Sequence, residues 1–203
     1  MQARTIILAT RNPDKVRELQ AILAHSNWEL ISLDTYPDIP EVVENGQSLR
    51  ENALKKAAAT HHATGFPSLA DDTGLEVDVL NGAPGVHSSR YAGEKATYGD
   101  NCRKLLTVLQ GVPREKRTAR FRCVSAFVDK ERTHCEDGVC EGLILDGMHG
   151  QEGFGYDPLF FVPETGKTFA EMSLMDKNTV SHRARAFRSM AEWLEKQLRF
   201  TGA

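Results

Sequence analysis

Residues 68–93 read SLADDTGLEVDVLNGAPGVHSSRYAG. A short apolar strand over 68–70 runs into two adjacent carboxylates, Asp71 and Asp72, and a Thr-Gly step follows at once. Residues 75–79 then alternate as a strand does, and a turn-rich loop ends the stretch. Carboxylates at a strand end beside a glycine are suited to holding a hard cation and activating water. In extended backbone, neighbouring side chains point to opposite faces, so the pair is expected to divide its work. One aspartate would face metal and water while the other fixes the loop, and Asp72, nearer the turn, is the candidate for the chemistry. A strand-end turn with two solvated aspartates would produce the same residues.

Working outward, the spacing predicts a strand over 5–9, then a helix capped by Asn12 with Pro13 at its first position. That helix runs to about 24 with Val16, Leu19 and Leu23 on one face, and a strand follows over 28–33. Ser48 and Glu51 form a capping box before a helix to about 64, with Ala53, Leu54, Ala57 and Ala58 as a small-residue packing face. A helix over 97–109 ends at Gly111 and Pro113. Strands over 119–129 and 133–145 make an antiparallel hairpin turning at 130–132, and 159–162 is a short strand. Ser181 caps a last helix whose buried face is Phe187, Met190, Leu194 and Leu198. Strands alternating with helices, plus a long hairpin, place the chain in the α/β class with a mixed sheet.

The 203 residues suit a single domain over 1–203, ample for a real core. With 40% hydrophobic and 26% charged residues and a net charge of −3, there is no basic excess for wrapping a nucleic acid polymer. A small anionic ligand needs only a local cluster of cations. No apolar run approaches membrane-spanning length, and the apolar segment near the N-terminus is too short for a signal peptide. Cys102, Cys123, Cys135 and Cys140 form no CxxC pair, so reduced thiols in a cytoplasm are expected.

Three further segments carry polar groups suited to a nucleotide. TRNPDK, over 10–15, joins a strand to a helix start, where free N–H groups and the positive dipole end suit phosphate. Thr10 and Asn12 add side-chain donors, and Lys15 in the first turn calls for a nearby anion. An ordinary capped helix with a solvated lysine is the alternative. In EGFGYDP, over 152–158, two glycines flank an aromatic. Phe154 is placed to stack on a base and Asp157 to accept from a base edge; alternatively Phe154 and Tyr156 are core aromatics. In KNTVSHRAR, over 177–185, His182 and Arg183 occupy a first helical turn with Lys177 just before it. Cations there oppose the dipole unless something anionic docks, or unless they pair with Asp176 or Glu171. Glu44, in the polar turn before the second helix, is a further carboxylate for a metal. TGKT over 165–168 is no phosphate loop, because its first glycine would fall on Phe161. His134, Cys135, Cys140 and His149 lack zinc spacing, and Ser88 and Ser89 sit outside any nucleophile-elbow pattern.

Together these segments resemble the inosine triphosphate pyrophosphatase family. The resemblance runs along nearly the whole chain, through ILATRNPDKVREL, SLRENALKKA, the 68–93 stretch, RTARFRCV, GFGYDPLFFVPETGKTFAEM and KNTVSHRARAF. It implies an elongated mixed sheet with flanking helices in two lobes around a nucleotide cleft, and a homodimer. It also implies Mg²⁺-dependent hydrolysis of inosine- and xanthosine-type triphosphates to monophosphate and pyrophosphate. Carried over by position, Thr10, Arg11, Asn12 and Lys15 form the triphosphate-binding stretch, with Lys55 near the phosphates. Asp72 is the general base and a metal ligand, with Glu44 helping the metal. Phe154, Gly155, Tyr156, Asp157, Lys177, His182 and Arg183 hold the nucleotide and its base. Where the family commonly has glycine, Arg11 either crowds the phosphate turn or adds charge to it. Where it commonly has serine, Thr73 keeps the hydroxyl and adds a methyl, so its substrate contact is expected to survive. The rival readings are a pyrophosphatase for another nucleotide, a nucleotide-binding regulatory module and a sugar-phosphate phosphatase.

Overall fold

A computed structural model describes residues 4–24, 26 and 28–200, with side-chain environments for 5–24, 26 and 28–197. The elements run β1 (Arg4–Leu8), α1 (Pro13–Ile22), β2 (Trp28–Ser32), α2 (Leu49–Thr64), β3 (Ser68–Val77), β4 (Pro84–Gly85) and α3 (Tyr98–Val108). They continue with β5 (Thr118–Val128), β6 (Thr133–Ile144), β7 (Phe160–Val162), β8 (Lys167–Thr168), α4 (Leu174–Val180) and α5 (His182–Phe200). Among the described residues the strands form one mixed sheet in the order β2-β1-β3-β5-β6-β7-β8, with β4 paired to β3. β1 is parallel to both neighbours, Ile7 facing Ile31 on one side and Ser68 on the other. β4 is antiparallel to β3, and β7 to both β6 and β8. The mixed α/β class read from the sequence is the class observed. No helix among the described residues is long and apolar enough to cross a membrane.

The chain divides into two compact units. Among the described residues, the first draws on 4–24, 26, 28–72, 123–138 and 183–200. Its core gathers Ile6 and Leu8 of β1, Leu19 of α1 and Leu23 just after it, Leu69, Phe127, and the α5 stripe Phe187, Met190 and Leu194. That stripe is the one expected from the 3.6-residue period, except that the Leu198 side chain lies outside the described residues. The second unit draws on 73–122 and 139–182. Its core centres on Leu75, Val77, Leu105, Phe121, Phe160 and Phe169.

One expectation is corrected by β3. The predicted strands 68–70 and 75–79, with a turn between them, are a single ten-residue strand, and Asp71 to Gly74 lie inside it. Two aspartates and a glycine are poor strand formers, but propensity yields to context when each polar group finds a partner. Residues 78–80 make a 3₁₀ turn instead of continuing the strand. The sequence reading also lacked β4 and β8, two-residue strands too short to show any period, and α4. As a result Lys177 lies within α4, and Ser181 is the single extended residue between α4 and α5 (φ −69°, ψ 151°).

Gly74 lets β4 approach. A Cβ there would stand 2.7 Å from the Gly85 carbonyl oxygen, backbone that cannot swing away. Ser88 locks the same turn: its Oγ accepts from the Leu75 N–H at 2.9 Å and donates to the Gly85 carbonyl at 2.6 Å. Gly74→Ala is therefore expected to lower stability by about 1–3 kcal/mol, the usual range for overpacking. A urea-unfolding midpoint equal to that of the wild type would show that β4 can move aside without cost.

Candidate active site

In the first unit, the turn after β1 is built by side chains. The Asn12 N–H donates to Thr10 Oγ1 at 3.2 Å, and Asn12 Oδ1 caps α1 by accepting from the amides of Asp14 (2.9 Å) and Lys15 (3.3 Å). Lys15 is not simply solvated. Its Nζ lies 3.1 Å from Asp71 Oδ2. The Arg183 guanidinium reaches the same oxygen at 3.3 Å, and its Nη1 contacts Glu18 Oε2 at 2.5 Å. Glu18, Asp71 and Arg183 are all buried. Burial alone would raise the Asp71 pKa, but Lys15, Arg183 and Lys56 outweigh it and hold the carboxyl far below the usual range. Burial would likewise depress Arg183, yet Glu18 and Asp71 push it above its ordinary value. Asp71 is thus the structural member of the pair. Arg183 is buried, and its guanidinium lies between Glu18 and Asp71.

Asp72 has a different set of partners. Asn52 Nδ2 donates to its Oδ2 at 3.0 Å, and Lys56 Nζ lies 3.5 Å from its Oδ1. The same ammonium is 2.6 Å from Glu44 Oε1. The pKa of Asp72 is raised, chiefly by burial and also by Glu44, against the opposing pull of Lys56 and Lys15. For Lys56, burial pulls the pKa down, but Asp72, Asp71 and Glu44 carry it above its usual value.

The sequence places Lys55 near the phosphates, and in the structure the α2 lysine of the first-unit cluster is Lys56. Lys55 is exposed and donates to Asn45 Oδ1, while Lys56 is the buried neighbour of Asp72. The buried stripe of α2 is Leu49, Asn52, Ala53, Lys56, Ala57 and Thr60. Asn52 and Lys56 share it at i and i+4, a signal that was available. Ala53 and Ala57 of the predicted packing face are on it; Ala58 is exposed.

The Arg11 side chain is tied to neighbouring backbone. Its Nη2 donates to the carbonyls of Tyr36 at 3.0 Å and Ile39 at 2.7 Å.

The donor set in this unit fits Mg²⁺. Glu44 and Asp72 supply hard oxygens that converge on one cation, the Lys56 ammonium. No group of three His, Cys, Asp or Glu among the described residues could hold a metal alone. Mg²⁺ is commonly held by one or two carboxylates together with substrate phosphates and water, so two carboxylates match that habit.

In the second unit, the loop around 152–158 is folded onto itself. Asp157 Oδ2 accepts from the Phe154 N–H at 2.8 Å and from Lys177 Nζ at 2.5 Å, both within its own unit. Gly153 must be glycine: its φ is +72°, and a Cβ would meet Asp157 Oδ2 at 2.1 Å. The Tyr156 hydroxyl donates to the Ser88 carbonyl at 2.9 Å, making Tyr156 a buried anchor, and Gly155 presents its carbonyl to Cys102 Sγ at 3.3 Å. Phe154 stays half-exposed, tilted against Tyr98 with centroids 5.8 Å apart, and Lys177 Nζ lies 5.0 Å from its ring centre. His182 is buried and stacks on Phe121 at 4.6 Å and 12°. Thr73, half-buried, follows Asp72 directly in β3.

Arg183→Met removes the cation shared by two buried carboxylates, and a loss of about 3–5 kcal/mol is expected. The pH dependence carries a sign. Asp71 has a depressed native pKa, so its contribution to stability is complete above its unfolded value, about 3.9, and fades as pH falls below it. Chemical denaturation across pH 5 to 2 should therefore show a shallower acid decline in the variant. A decline of unchanged slope would mean that Arg183 does not control the ionisation of Asp71.

The model of the Ham1 family matches residues 6–193. A dITP/XTP pyrophosphatase of Desulforamulus reducens is 48% identical over 192 residues, covering 94% of this chain and 96% of its own. One of the same name from Geobacter sulfurreducens is 50% identical over 190 residues, covering 93% and 96%. A solved HAM1 protein from Coxiella burnetii, 38% identical, covers 95% of this chain and 99% of its own with a TM-score of 0.86. A family model matched over 6–193, with relatives about half identical over nearly the full length, shows that the chain belongs to the Ham1 family.

Proposed function

We propose that the chain hydrolyses aberrant purine nucleoside triphosphates, dITP and XTP among them, to the monophosphate and pyrophosphate. The observation that carries this is Asp72: a buried carboxylate of raised pKa, held by Asn52 and sharing the Lys56 ammonium with Glu44. The relatives named dITP/XTP pyrophosphatase support the choice of substrate.

In this reading the Thr10–Asn12 turn offers N–H groups to phosphate oxygens, and Lys15, held by Asp71, adds a fixed positive charge. Glu44 and Asp72 would hold Mg²⁺, which when bound neutralises phosphate charge and polarises the phosphoryl group. Asp72 takes the proton of a water. The water oxygen bonds to the α-phosphorus as the bond to the bridging oxygen breaks, and pyrophosphate leaves. A raised pKa makes Asp72 the better base of the two aspartates near neutrality. In the second unit, Phe154 offers a half-exposed ring face for a base. Lys177 is held by Asp157, which leaves it as an oriented cation. Thr73 contributes its hydroxyl. Donors directed at the 6-oxo group of the base would favour inosine and xanthosine nucleotides over adenine ones, because an amine facing a buried donor is costly. His182 and the backbone N–H groups beside it fill that role. A homodimer in the cytoplasm belongs to the same reading; the resemblance to the pyrophosphatase family supports the dimer.

Incubation with Mg²⁺ and dITP should release pyrophosphate and monophosphate, with little turnover of ATP or GTP. Orthophosphate, or equal use of all three, would overturn the reading. Asp72→Asn is expected to cut kcat by about 10²–10⁴-fold, the range for a general base. Asp72 has a raised native pKa, so its charge costs stability as pH rises through that value, and the variant should be at least as stable as wild type at pH 7. Activity runs the other way. The base must be ionised, so kcat/KM should fall as pH drops through the same value, and this acid limb should be missing from the residual activity of Asp72→Asn. A variant with near-normal kcat removes Asp72 from the chemistry.

A further inference from the structure

The segment that carries Glu44 has little to hold it. Residues 37–47 read PDIPEVVENGQ, with prolines at 37 and 40 that donate no hydrogen bond, and they form neither helix nor strand. None of them is buried, and Val43 is 71% exposed. The backbone bonds within it and its leading turn run from Ile39 N–H to the Tyr36 carbonyl and from Asn45 N–H to the Val43 carbonyl. Stretches with few buried contacts open locally at small free-energy cost.

Its polar anchors fall at the two ends. At the downstream end, α2 supplies four. The Gly46 N–H donates to Asn52 Oδ1, Gln47 N–H to Glu51 Oε2, Lys55 meets Asn45, and Lys56 meets Glu44. At the upstream end, Arg11 Nη2 bridges the Tyr36 and Ile39 carbonyls. Arg11 lies between Thr10 and Asn12 in the turn that precedes α1, so its guanidinium ties that turn to the start of the Glu44 segment. The Lys56–Glu44 contact is one that a cation on Glu44 would have to displace or share. The Arg11 bond is to main-chain oxygens and is untouched by such a change.

We propose that Arg11 is a positioning residue for the Glu44 carboxylate: by fixing the Tyr36–Ile39 turn to the Thr10–Asn12 turn, it sets how readily the chain takes up Mg²⁺. This rests on the function proposed above. It assigns the Arg11 side chain no contact with the substrate.

The test pairs Arg11→Ala with Arg11→Lys, the latter keeping a donor but losing the planar fork. Hydrogen–deuterium exchange on the protein without nucleotide or metal reads the tie directly. In Arg11→Ala, amides over 36–47 should exchange faster while those of α1 keep their protection. Pyrophosphate release from dITP then reads the consequence. The half-saturating Mg²⁺ concentration should rise about 3–10-fold, a modest ordering cost, with kcat at saturating Mg²⁺ within about twofold of wild type. Arg11→Lys should fall between the two. Unchanged exchange over 36–47 overturns the proposal. So does faster exchange with an unaltered Mg²⁺ requirement, which would make Arg11 a structural tie only. A raised KM for dITP at saturating Mg²⁺ also overturns it, because it would place Arg11 on the phosphates. Should the wild type release no pyrophosphate, the proposed function fails, while the exchange experiment still reports on the tie.

Discussion

Two carboxylates buried side by side in one strand are the constraint around which the first unit is arranged. Neither aspartate of β3 can be ionised there without a cation close by, because charge is costly away from water. α1, α2 and α5 each bring one: Lys15, Lys56 and Arg183. Two of these cations hold a further acid, Glu44 on Lys56 and Glu18 on Arg183. Four carboxylates thus face three cations, and one formal negative charge is left over. The excess lies on the Asp72 side, where two carboxylates share a single ammonium and where the pKa is raised. A divalent cation with substrate phosphates is the kind of group such an excess would draw.

The same strand explains why adjacent residues of one type can have opposite properties. The period of two sends Asp71 towards Lys15 and Arg183 and Asp72 towards Asn52 and Lys56. Full burial acts on both, and the difference lies in the number of cations. Asp71 has two in direct contact and is held ionised; Asp72 has one, which it shares with Glu44, and its protonated form is favoured relative to a free carboxylate. Paired titratable groups driven apart by their surroundings are a mark of acid–base assignments in enzymes.

Local rules made much of the fold legible. Ser48 and Glu51 announce α2, and Ser48 Oγ does accept from the Glu51 N–H. Asn12-Pro13 announces α1, and the α5 stripe follows its helical period. What local rules could not show is where long-range partners override them. The DDTG run breaks strand propensity, and only the cations from α1, α2 and α5 make its continuity in β3 affordable. Lys55 and Lys56 are equivalent as residue types; only the phase of α2 separates them, and Asn52, four residues before Lys56, carries that phase. The sequence places Arg183 at a helix start but does not show that Glu18, 165 positions earlier in the chain, lies against its guanidinium. Arg11 interrupts a phosphate-binding turn in the sequence, but its side chain leaves the turn for carbonyls 25 and 28 residues away.

The two clusters also differ in how firmly they are built. In the second unit the 153–157 loop is held by a buried ion pair, a tyrosine hydroxyl and a thiol. Burial and the nearby Asp157 push Cys102 up to about 11, so it remains a thiol able to donate to the Gly155 carbonyl. Each of these contacts is within the unit, and each limits the motion of the backbone that carries Phe154. A ring held this way can favour one base over another, since discrimination requires donors and surfaces that do not adjust to the wrong partner. The Glu44 segment has the opposite character, with no buried residue and anchors only at its ends. Under the proposed function, a carboxylate that exchanges an ammonium for a hydrated cation would gain from that looseness, within limits. In the proposed reaction, selectivity would reside where packing is tight, and the step that requires ligand exchange where the chain can yield.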